Sequence, residues 1–134
     1  MTDMHESTIE WDEMSDEERN DLLVEESSPN LPVDFSNNGS KRRFFPSTRP
    51  GDAMLLLPTS WVWELRCERG GISVCIESIS PNRGEMSHVV VDPGRCGTRQ
   101  IAVATALCLA TLQAHGLKVK SRTLLYTEEP YFGP

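Results

Sequence analysis

The fold is decided by the stretch of residues 61–76, WVWELRCERGGISVCI. Its first half places apolar side chains at every second position, which is the period of a strand with one buried face. The pair Gly70-Gly71 predicts a two-residue hairpin turn into a second strand. Pairing across that turn sets Cys67 against Val74 and Leu65 against Ile76, so the apolar sets of both strands share one face. The predicted buried face comprises Trp61, Trp63, Leu65, Cys67, Val74 and Ile76.

Further elements follow the hairpin along the chain. Residues 80–86 (SPNRGEM) are typical of a turn, and residues 88–92 (HVVVD) predict a third strand. Thr98 is placed to cap a helix over residues 99–115, which carries five alanines and has apolar side chains on most sides. We therefore expect this helix to lie deeply buried across the sheet. Residues 117–126 offer a fourth strand.

A short helix precedes the hairpin. Ser15 and Glu18 have the spacing of a capping box, in which each side chain bonds to the other residue's backbone N–H. The box predicts a helix over residues 16–26. The sequence after it predicts a linker over residues 27–40 and a second short helix over residues 52–57. This order of elements predicts an α+β fold, with three or four antiparallel strands and helices packed on one or both faces.

Charge divides the chain into two parts. Residues 1–40 carry twelve acidic side chains and one basic one, a net charge of −11, whereas residues 41–134 carry +4. We interpret residues 1–40 as an acidic arm with a short helix and a linker, and residues 41–134 as a single domain. Because residues 1–14 lack periodic apolar spacing, we expect them to be disordered.

The cysteines and the apolar runs indicate a cytoplasmic protein. The first residues are polar and acidic rather than the apolar core of a secretion signal. The apolar run over residues 101–112 is too short to cross a bilayer as a helix. The four cysteines, at positions 67, 75, 96 and 108, show no CxxC spacing, so we expect reduced thiols and no metal site.

The acidic arm supplies the first candidate site. Its carboxylates are suited to a basic surface on another protein, where they would occupy positions that phosphates take. The predicted partner-binding residues are Asp12, Glu13, Asp16, Glu17 and Asp21. A solubilising tail is the alternative meaning of such an acidic run.

The loop before the long helix supplies the second candidate site. Free N–H groups at a helix start, with two arginines nearby, are what a small anion or a nucleotide requires. The predicted anion-binding residues are Arg95, Gly97, Thr98 and Arg99. The same residue types are also ordinary turn and cap residues, and the pattern of a phosphate-binding loop is incomplete.

Catalysis has little support in the sequence. Cys96 lies in an electropositive loop that would lower its pKa, and His88 is the histidine that would act as its base. His115 stands at a helix C-terminus, where an imidazolium interacts favourably with the helix dipole. We therefore predict no catalytic residues, no metal and no cofactor. The basic and aromatic residues 41–45 form a single cluster in an acidic chain, so we do not expect direct nucleic-acid binding.

Three features together resemble the small phage and prophage proteins of the phage ABA-sandwich family, over about residues 15–116. These are the capped helix, the segment FPSTRPGDAM at 45–54 before a tryptophan-containing hairpin, and the alanine-rich helix in TRQIAVATALCLATLQAHG. The resemblance implies a sheet with helices on both sides and no established enzymatic activity, and it supplies no catalytic residues.

The resemblance and the charge division together favour a non-enzymatic phage-type accessory protein. We expect it to bind a host protein with a basic surface, as anti-defence factors do, in the cytoplasm of the host cell. Binding of a small anionic or nucleotide ligand at the 94–99 loop is the first alternative, and an enzyme of unknown type is the second. We also expect a homodimer, because the strand at 61–68 has bulky apolar residues that one helix does not cover.

Overall fold

The protein is described by a computed structural model that covers residues 8–27, 45–57, 61–68, 70–80 and 83–128. The strands are β1 (Thr8–Glu10), β2 (Val62–Glu68), β3 (Gly71–Ser80), β4 (Arg83–Val91), β5 (Lys118–Lys120) and β6 (Leu124–Glu128). The α-helices are α1 (Asp16–Ser27), α2 (Pro50–Met54) and α3 (Arg99–Ala114), and two single 3-10 turns cover Trp11–Glu13 and Pro93–Arg95. No helix in these ranges is long and apolar enough to cross a membrane.

The predicted α+β fold is confirmed. Four antiparallel strands form the main sheet in the order β2-β3-β4-β6, and β1 pairs with β5 in a separate parallel pair. Helix α3 lies against β3 and β4, while α1 and α2 pack mainly against α3. The described helices therefore cover one face of the main sheet and leave its other face uncovered.

The hairpin forms, but two residues away from the predicted register. Cys67 pairs with Ile72 and Leu65 pairs with Val74. Because side chains alternate with a period of two, this shift keeps the same side chains on the same face. Gly71 is the first residue of β3 rather than part of the turn, and a Cβ there would lie 2.7 Å from Cγ1 of Val90. The glycine is therefore required by the close approach of β4.

The predicted turn over residues 80–86 is wrong. Ser80 pairs directly with Arg83, so β3 and β4 form a second tight hairpin and the ladder continues through residues 83–86. The third strand was expected only from residue 88 because the apolar run begins there. Backbone pairing extends a strand through polar residues that give no alternating apolar signal.

The core lies between β3, β4 and α3. Its largest fully buried side chains include Ile72, Val74, Ile76, Val89, Val91, Leu107, Leu109 and Leu112. The predicted buried face is correct for β3 but only in part for β2. Trp61, Trp63 and Leu65 are half-buried against the core, and Cys67 is exposed. The reason is that β2 is an edge strand lying beyond the strands that α3 mainly covers.

Local end signals of the helices are confirmed. Glu18 N–H donates to Ser15 Oγ at 3.1 Å, and Ser15 N–H donates to the Glu18 carboxylate at 2.8 Å. At α3, the Thr98 hydroxyl accepts from Ile101 N–H at 3.0 Å. Gly116, after the end of α3, has φ +95°, a left-handed conformation that favours glycine.

The predicted disorder of residues 1–14 is wrong for residues 8–14. Strand β1 pairs with β5, and the Trp11 side chain is only 2% exposed within the core. A single buried tryptophan gives no periodic pattern, and its docking site lies more than a hundred residues further along the chain. Residues 1–7 and the predicted linker from residue 28 onward lie outside the described residues.

The segment predicted as a fourth strand forms two strands. Residues Lys118–Lys120 form β5 beside β1, and Leu124–Glu128 form β6 beside β4. A tight turn separates them, in which Leu124 N–H donates to the Ser121 carbonyl at 3.1 Å. The segment 117–128 therefore joins the small parallel pair to the main sheet.

Candidate functional site

Helix α1 presents an acidic side to solvent. Glu17, Asp21 and Glu25 are all exposed and follow one another at intervals of four residues, which places them on one side of the helix. We call these three residues the acidic face. Glu17 and Asp21 were predicted as partner-binding residues, whereas Glu25 was missed although its spacing continues the same series.

The opposite side of α1 is fixed to the body of the protein. Leu23 and Val24 are buried in the core, and the Asn20 side chain accepts from Ser47 N–H at 2.9 Å. Arg19 donates to the Trp11 carbonyl through Nε and Nη2, at 2.9 and 2.6 Å, and its guanidinium lies 4.7 Å from the centre of the Trp11 ring. The acidic face is therefore carried on a helix held by core packing and by hydrogen bonds.

The remaining predicted acids differ in their surroundings. Glu13 and Asp16 are exposed, and Asp16 lies 3.5 Å from Arg19 in an ion pair that solvent screens. Asp12 instead accepts from the Ser121 hydroxyl at 2.8 Å and from Arg122 N–H at 2.7 Å. These two hydrogen bonds use both carboxylate oxygens, so Asp12 joins the N-terminal segment to the turn before β6.

The predicted anion loop is satisfied largely by its own residues. The Asp92 carboxylate accepts from Gly94 N–H at 2.9 Å and lies 3.4 Å from Arg95 Nε. Arg95 also donates to the Arg122 carbonyl at 2.7 Å. A carboxylate of the chain thus already holds one N–H group and one of the two arginines of the predicted loop.

The other residues predicted in that loop have conformational roles or face solvent. Gly97 has φ +93°, and the Thr98 side chain caps α3. Arg99 is exposed at the first position of that helix. Of the two predicted arginines, Arg95 contacts Asp92 and the Arg122 carbonyl, whereas Arg99 stands exposed at the start of α3.

The structure gives Cys96 and His88 different neighbours. Burial raises the pKa of the Cys96 thiol, and the nearby Asp92 carboxylate raises it further, so the predicted lowering of its pKa is wrong. The Cys96 thiol donates to the Asp92 carbonyl at 3.5 Å. His88 instead lies 2.9 Å from the Ser73 hydroxyl and stacks edge-on against Tyr126. The contacts described for His88 do not include Cys96.

His115 also differs from its predicted state. Burial lowers the pKa of its imidazole, and the Glu26 carboxylate only partly opposes that effect. The ring lies 5.4 Å from the Trp61 ring, and its Nε2 has no hydrogen-bond partner among the described residues. Burial thus favours the neutral imidazole rather than the imidazolium that would interact with the helix dipole.

A buried polar cluster near the C-terminal end of α3 was not anticipated. Gln113 donates to the Ser87 hydroxyl at 3.1 Å and accepts from the Thr127 hydroxyl, and Ser87 donates to the Ala110 carbonyl at 3.2 Å. These bonds join α3 to β4 and β6. They give Gln113 a structural role, which the helix pattern alone does not reveal because glutamine is usually exposed.

A shallow depression with a volume of about 220 Å³ lies on the face of the sheet that the described helices leave uncovered. Its lining residues are Val62, Trp63, Glu64, Cys75, Ile76 and Glu77. Within the described ranges, no group of His, Cys, Asp and Glu side chains is arranged to hold a metal ion.

Comparison of the chain with protein-family models, with curated proteins and with solved structures found no match.

Proposed function

We propose that this protein acts by binding, without catalysis, to a protein with a basic surface, and that the acidic face of α1 makes the contact. The observation that carries the proposal is the arrangement of Glu17, Asp21 and Glu25. They stand exposed on successive turns, at about 5–6 Å between neighbouring Cβ atoms.

Rigidity supports this role. A helix fixed to the core through Leu23, Val24 and Asn20 holds its charges in place before the partner arrives, so little conformational entropy is lost on binding. Exposed charges of one sign also attract a basic partner over several ångströms and increase the rate of association.

The small-ligand alternative has weaker support. A nucleotide at the 94–99 loop would have to displace the Asp92 carboxylate from Gly94 N–H and from Arg95. Arg99 remains exposed beside the start of α3, but one exposed arginine does not make a phosphate site. An enzymatic role would require an activated group, and the pKa of the Cys96 thiol is shifted away from activation.

The biological context of this binding is proposed from the sequence alone. We propose a phage-type accessory protein that meets a host protein in the host cytoplasm, as an anti-defence factor would. The support for this setting is the resemblance of residues 15–116 to phage ABA-sandwich proteins, together with the acidic composition of residues 1–40.

A charge-reversal experiment tests the acidic face. The full-length protein, immobilised through a tag, is exposed to a bacterial lysate, and the retained proteins are identified and quantified by mass spectrometry. The test variant is Glu17→Lys/Glu25→Lys. The control is Glu68→Lys/Glu77→Lys, which makes the same change in net charge at exposed residues of β2 and β3.

We expect the wild type and the control to retain a basic protein that salt releases, and the test variant to retain at least ~10-fold less of it. Equal loss in both variants would show that only net charge matters and would contradict the assignment to α1. Retention of a nucleotide that disappears with Arg99→Ala would instead favour the loop.

A further inference from the structure

Strand β2 is an edge strand that carries charge at Glu64, Arg66 and Glu68 but lacks the other usual protections. In the described part of the chain, β3 pairs with one side of β2 and no strand pairs with the other. Its seven residues, VWELRCE, include no proline and no lysine, and their register with β3 is continuous. Edge strands normally carry such residues, or a bulge, to prevent pairing with another chain. At the opposite edge, the pairing of β4 with β6 is interrupted between Val90 and Val91.

The core-facing side of β2 is also incompletely covered. Trp63 and Leu65 are only half-buried, and Cys67 is exposed, although the alternating pattern directs all three toward the side of α3. On β3, the residues paired with them, Ile76, Val74 and Ile72, are almost fully buried. The layer of apolar side chains therefore continues past β3 but ends at the β2 edge with surface exposed to water.

We propose that the occupant of this edge is a second copy of the same chain, with the two β2 strands paired antiparallel about Leu65. Leu65 is the midpoint of Val62–Glu68, so this register pairs all seven residues of each strand. The result is one continuous eight-stranded sheet, with an isologous two-fold interface at its centre. The proposal does not depend on the acidic face of α1.

Charge complementarity selects this register. Glu64 and Arg66 are both exposed on the outer face of β2. Within one chain, Arg66 Nε lies 3.3 Å from Glu64 Oε2. Pairing about Leu65 sets Glu64 opposite the partner's Arg66, and symmetry repeats the contact. Opposite charges directly across a strand pair stabilise it, and like charges destabilise it.

The neighbouring registers are less favourable. Centring the pair on residue 64 sets Glu64 against the partner's Glu64. Centring it on Arg66 sets that residue against the partner's Arg66. A one-residue slip would turn the outer face of one β2 strand toward the inner face of the other, and it would put charged side chains into the apolar layer. A register centred on Cys67 would keep opposite charges together but would shorten the overlap.

The inner face is completed by the same pairing. Leu65 meets the partner's Leu65, and Trp63 lies opposite the partner's Cys67. Each half-buried indole thus gains an apolar neighbour across the seam, and the exposed thiol is covered. Burial of this surface supplies the hydrophobic part of the association, and the charge pairs determine its register.

Charge reversals test the interface in the full-length chain. Sedimentation equilibrium gives the dimer Kd for the wild type, Glu64→Arg, Arg66→Glu, the double variant Glu64→Arg/Arg66→Glu, and the control Glu77→Arg on β3. Each single reversal sets like charges across the seam twice, so its Kd should rise at least ~10-fold. The double variant restores opposite charges and should return to within a few-fold of wild type, as should the control.

Cross-linking tests the register. Leu65→Cys in a Cys67→Ser background should form an intermolecular disulfide on mild oxidation, located by peptide mass spectrometry. Because Leu65 contributes to folding, Glu64→Cys/Arg66→Cys provides a second variant at exposed positions, which should link residue 64 to the partner's residue 66. In the wild type, Cys67 should not link to the partner's Cys67, because each Cys67 thiol lies opposite the indole of Trp63 in the other copy.

Several outcomes would overturn the proposal. The wild type could remain monomeric over the whole concentration series, or it could form a dimer whose Kd is unchanged by either single reversal. Failure of the double variant to recover would reject the register. A disulfide between the two Cys67 side chains would also reject it, in favour of the shorter overlap.

Discussion

The N-terminal acidic segment contains two regions with different roles. Residues 8–12 are attached to the body of the protein: β1 pairs with β5, Trp11 is buried, and Asp12 accepts hydrogen bonds from the turn before β6. The outer side of α1, only a few residues later, carries the exposed acidic face. A high density of acidic residues therefore does not reveal whether a segment packs against the core or remains exposed to water. In this segment the attachment consists of one buried tryptophan, one carboxylate with two hydrogen-bond donors, and the pairing of β1 with β5.

Removal of the tryptophan should have the largest effect. Trp11→Ala deletes a side chain that is 2% exposed, and we expect it to lower the free energy of unfolding by roughly 3–5 kcal/mol. Urea denaturation followed by circular dichroism measures the change. Trp61→Ala is the matched control, and it should cost less because that indole is only half-buried. A loss below ~1 kcal/mol for Trp11→Ala would mean that residues 8–14 are not part of the cooperative fold.

Substitution of Asp12 should have the next largest effect on stability. In Asp12→Asn, one of the two accepting oxygens is replaced by an amide that cannot accept from Arg122 N–H or from the Ser121 hydroxyl. The expected loss of stability is roughly 1–3 kcal/mol, because a charge-assisted hydrogen bond is lost and a donor is left unsatisfied. Asp16→Asn serves as the control in the same denaturation measurement. Its ion pair is exposed, so its loss should stay within ~0.5 kcal/mol, and equal losses would contradict the anchoring role of Asp12.

His115, at the C-terminal end of α3, adds a smaller, pH-dependent effect. Burial lowers the pKa of His115 in the folded protein, while in the unfolded chain it has its ordinary value of about 6.5. Below that pH the unfolded state binds more protons, so stability should fall as the pH decreases from 6.5 toward the folded pKa. The slope from one such group is at most ~1.4 kcal/mol per pH unit, and partial exposure reduces it.

His115→Gln should remove that part of the pH dependence. Thermal unfolding of wild type and variant between neutral and mildly acid pH measures the difference. A parallel pH dependence in the two proteins would show that His115 titrates alike when folded and unfolded.

Reversal of the acidic face should have the smallest effect on stability. Glu17→Lys/Glu25→Lys changes two exposed side chains, and we expect a change within ~0.5 kcal/mol in the urea denaturation that is used for Trp11→Ala. A larger loss would mean that the acidic face stabilises the fold, and its proposed role in binding would then need a different variant.

Local features of the fold could be predicted from the sequence, whereas long-range features could not. The capping box at Ser15 and the Thr98 cap depend on contacts three residues apart, so their spacing is visible in the chain. The register of the first hairpin, by contrast, differs by two residues from the one that Gly70-Gly71 predicts, and the turn sequence does not reveal the close approach of Val90 to Gly71. Backbone pairing likewise extended β4 through residues without an apolar pattern.

The candidate sites follow the same division. Helical periodicity places Glu17 and Asp21 together, and it also indicates Glu25 once the series is extended. In the loop, the contact of Arg95 with the Arg122 carbonyl was hidden because the two residues are 27 positions apart, whereas the contacts of Asp92 with Gly94 and Arg95 are local. The roles of Asp12 and Gln113 were hidden for the same reason, since their partners come from distant strands and turns.

The contact between Asp12 and Arg122 joins residues that are 110 positions apart in the chain. Strand β1 and Asp12 are therefore synthesised long before β5 and the turn with which they make contact. The equilibrium cost of closing so long a loop grows only slowly with its length, so the main consequence is one of timing. The N-terminal segment can pair only after β5 and the turn that follows it have been made, so we expect its docking to be a late step of folding during synthesis.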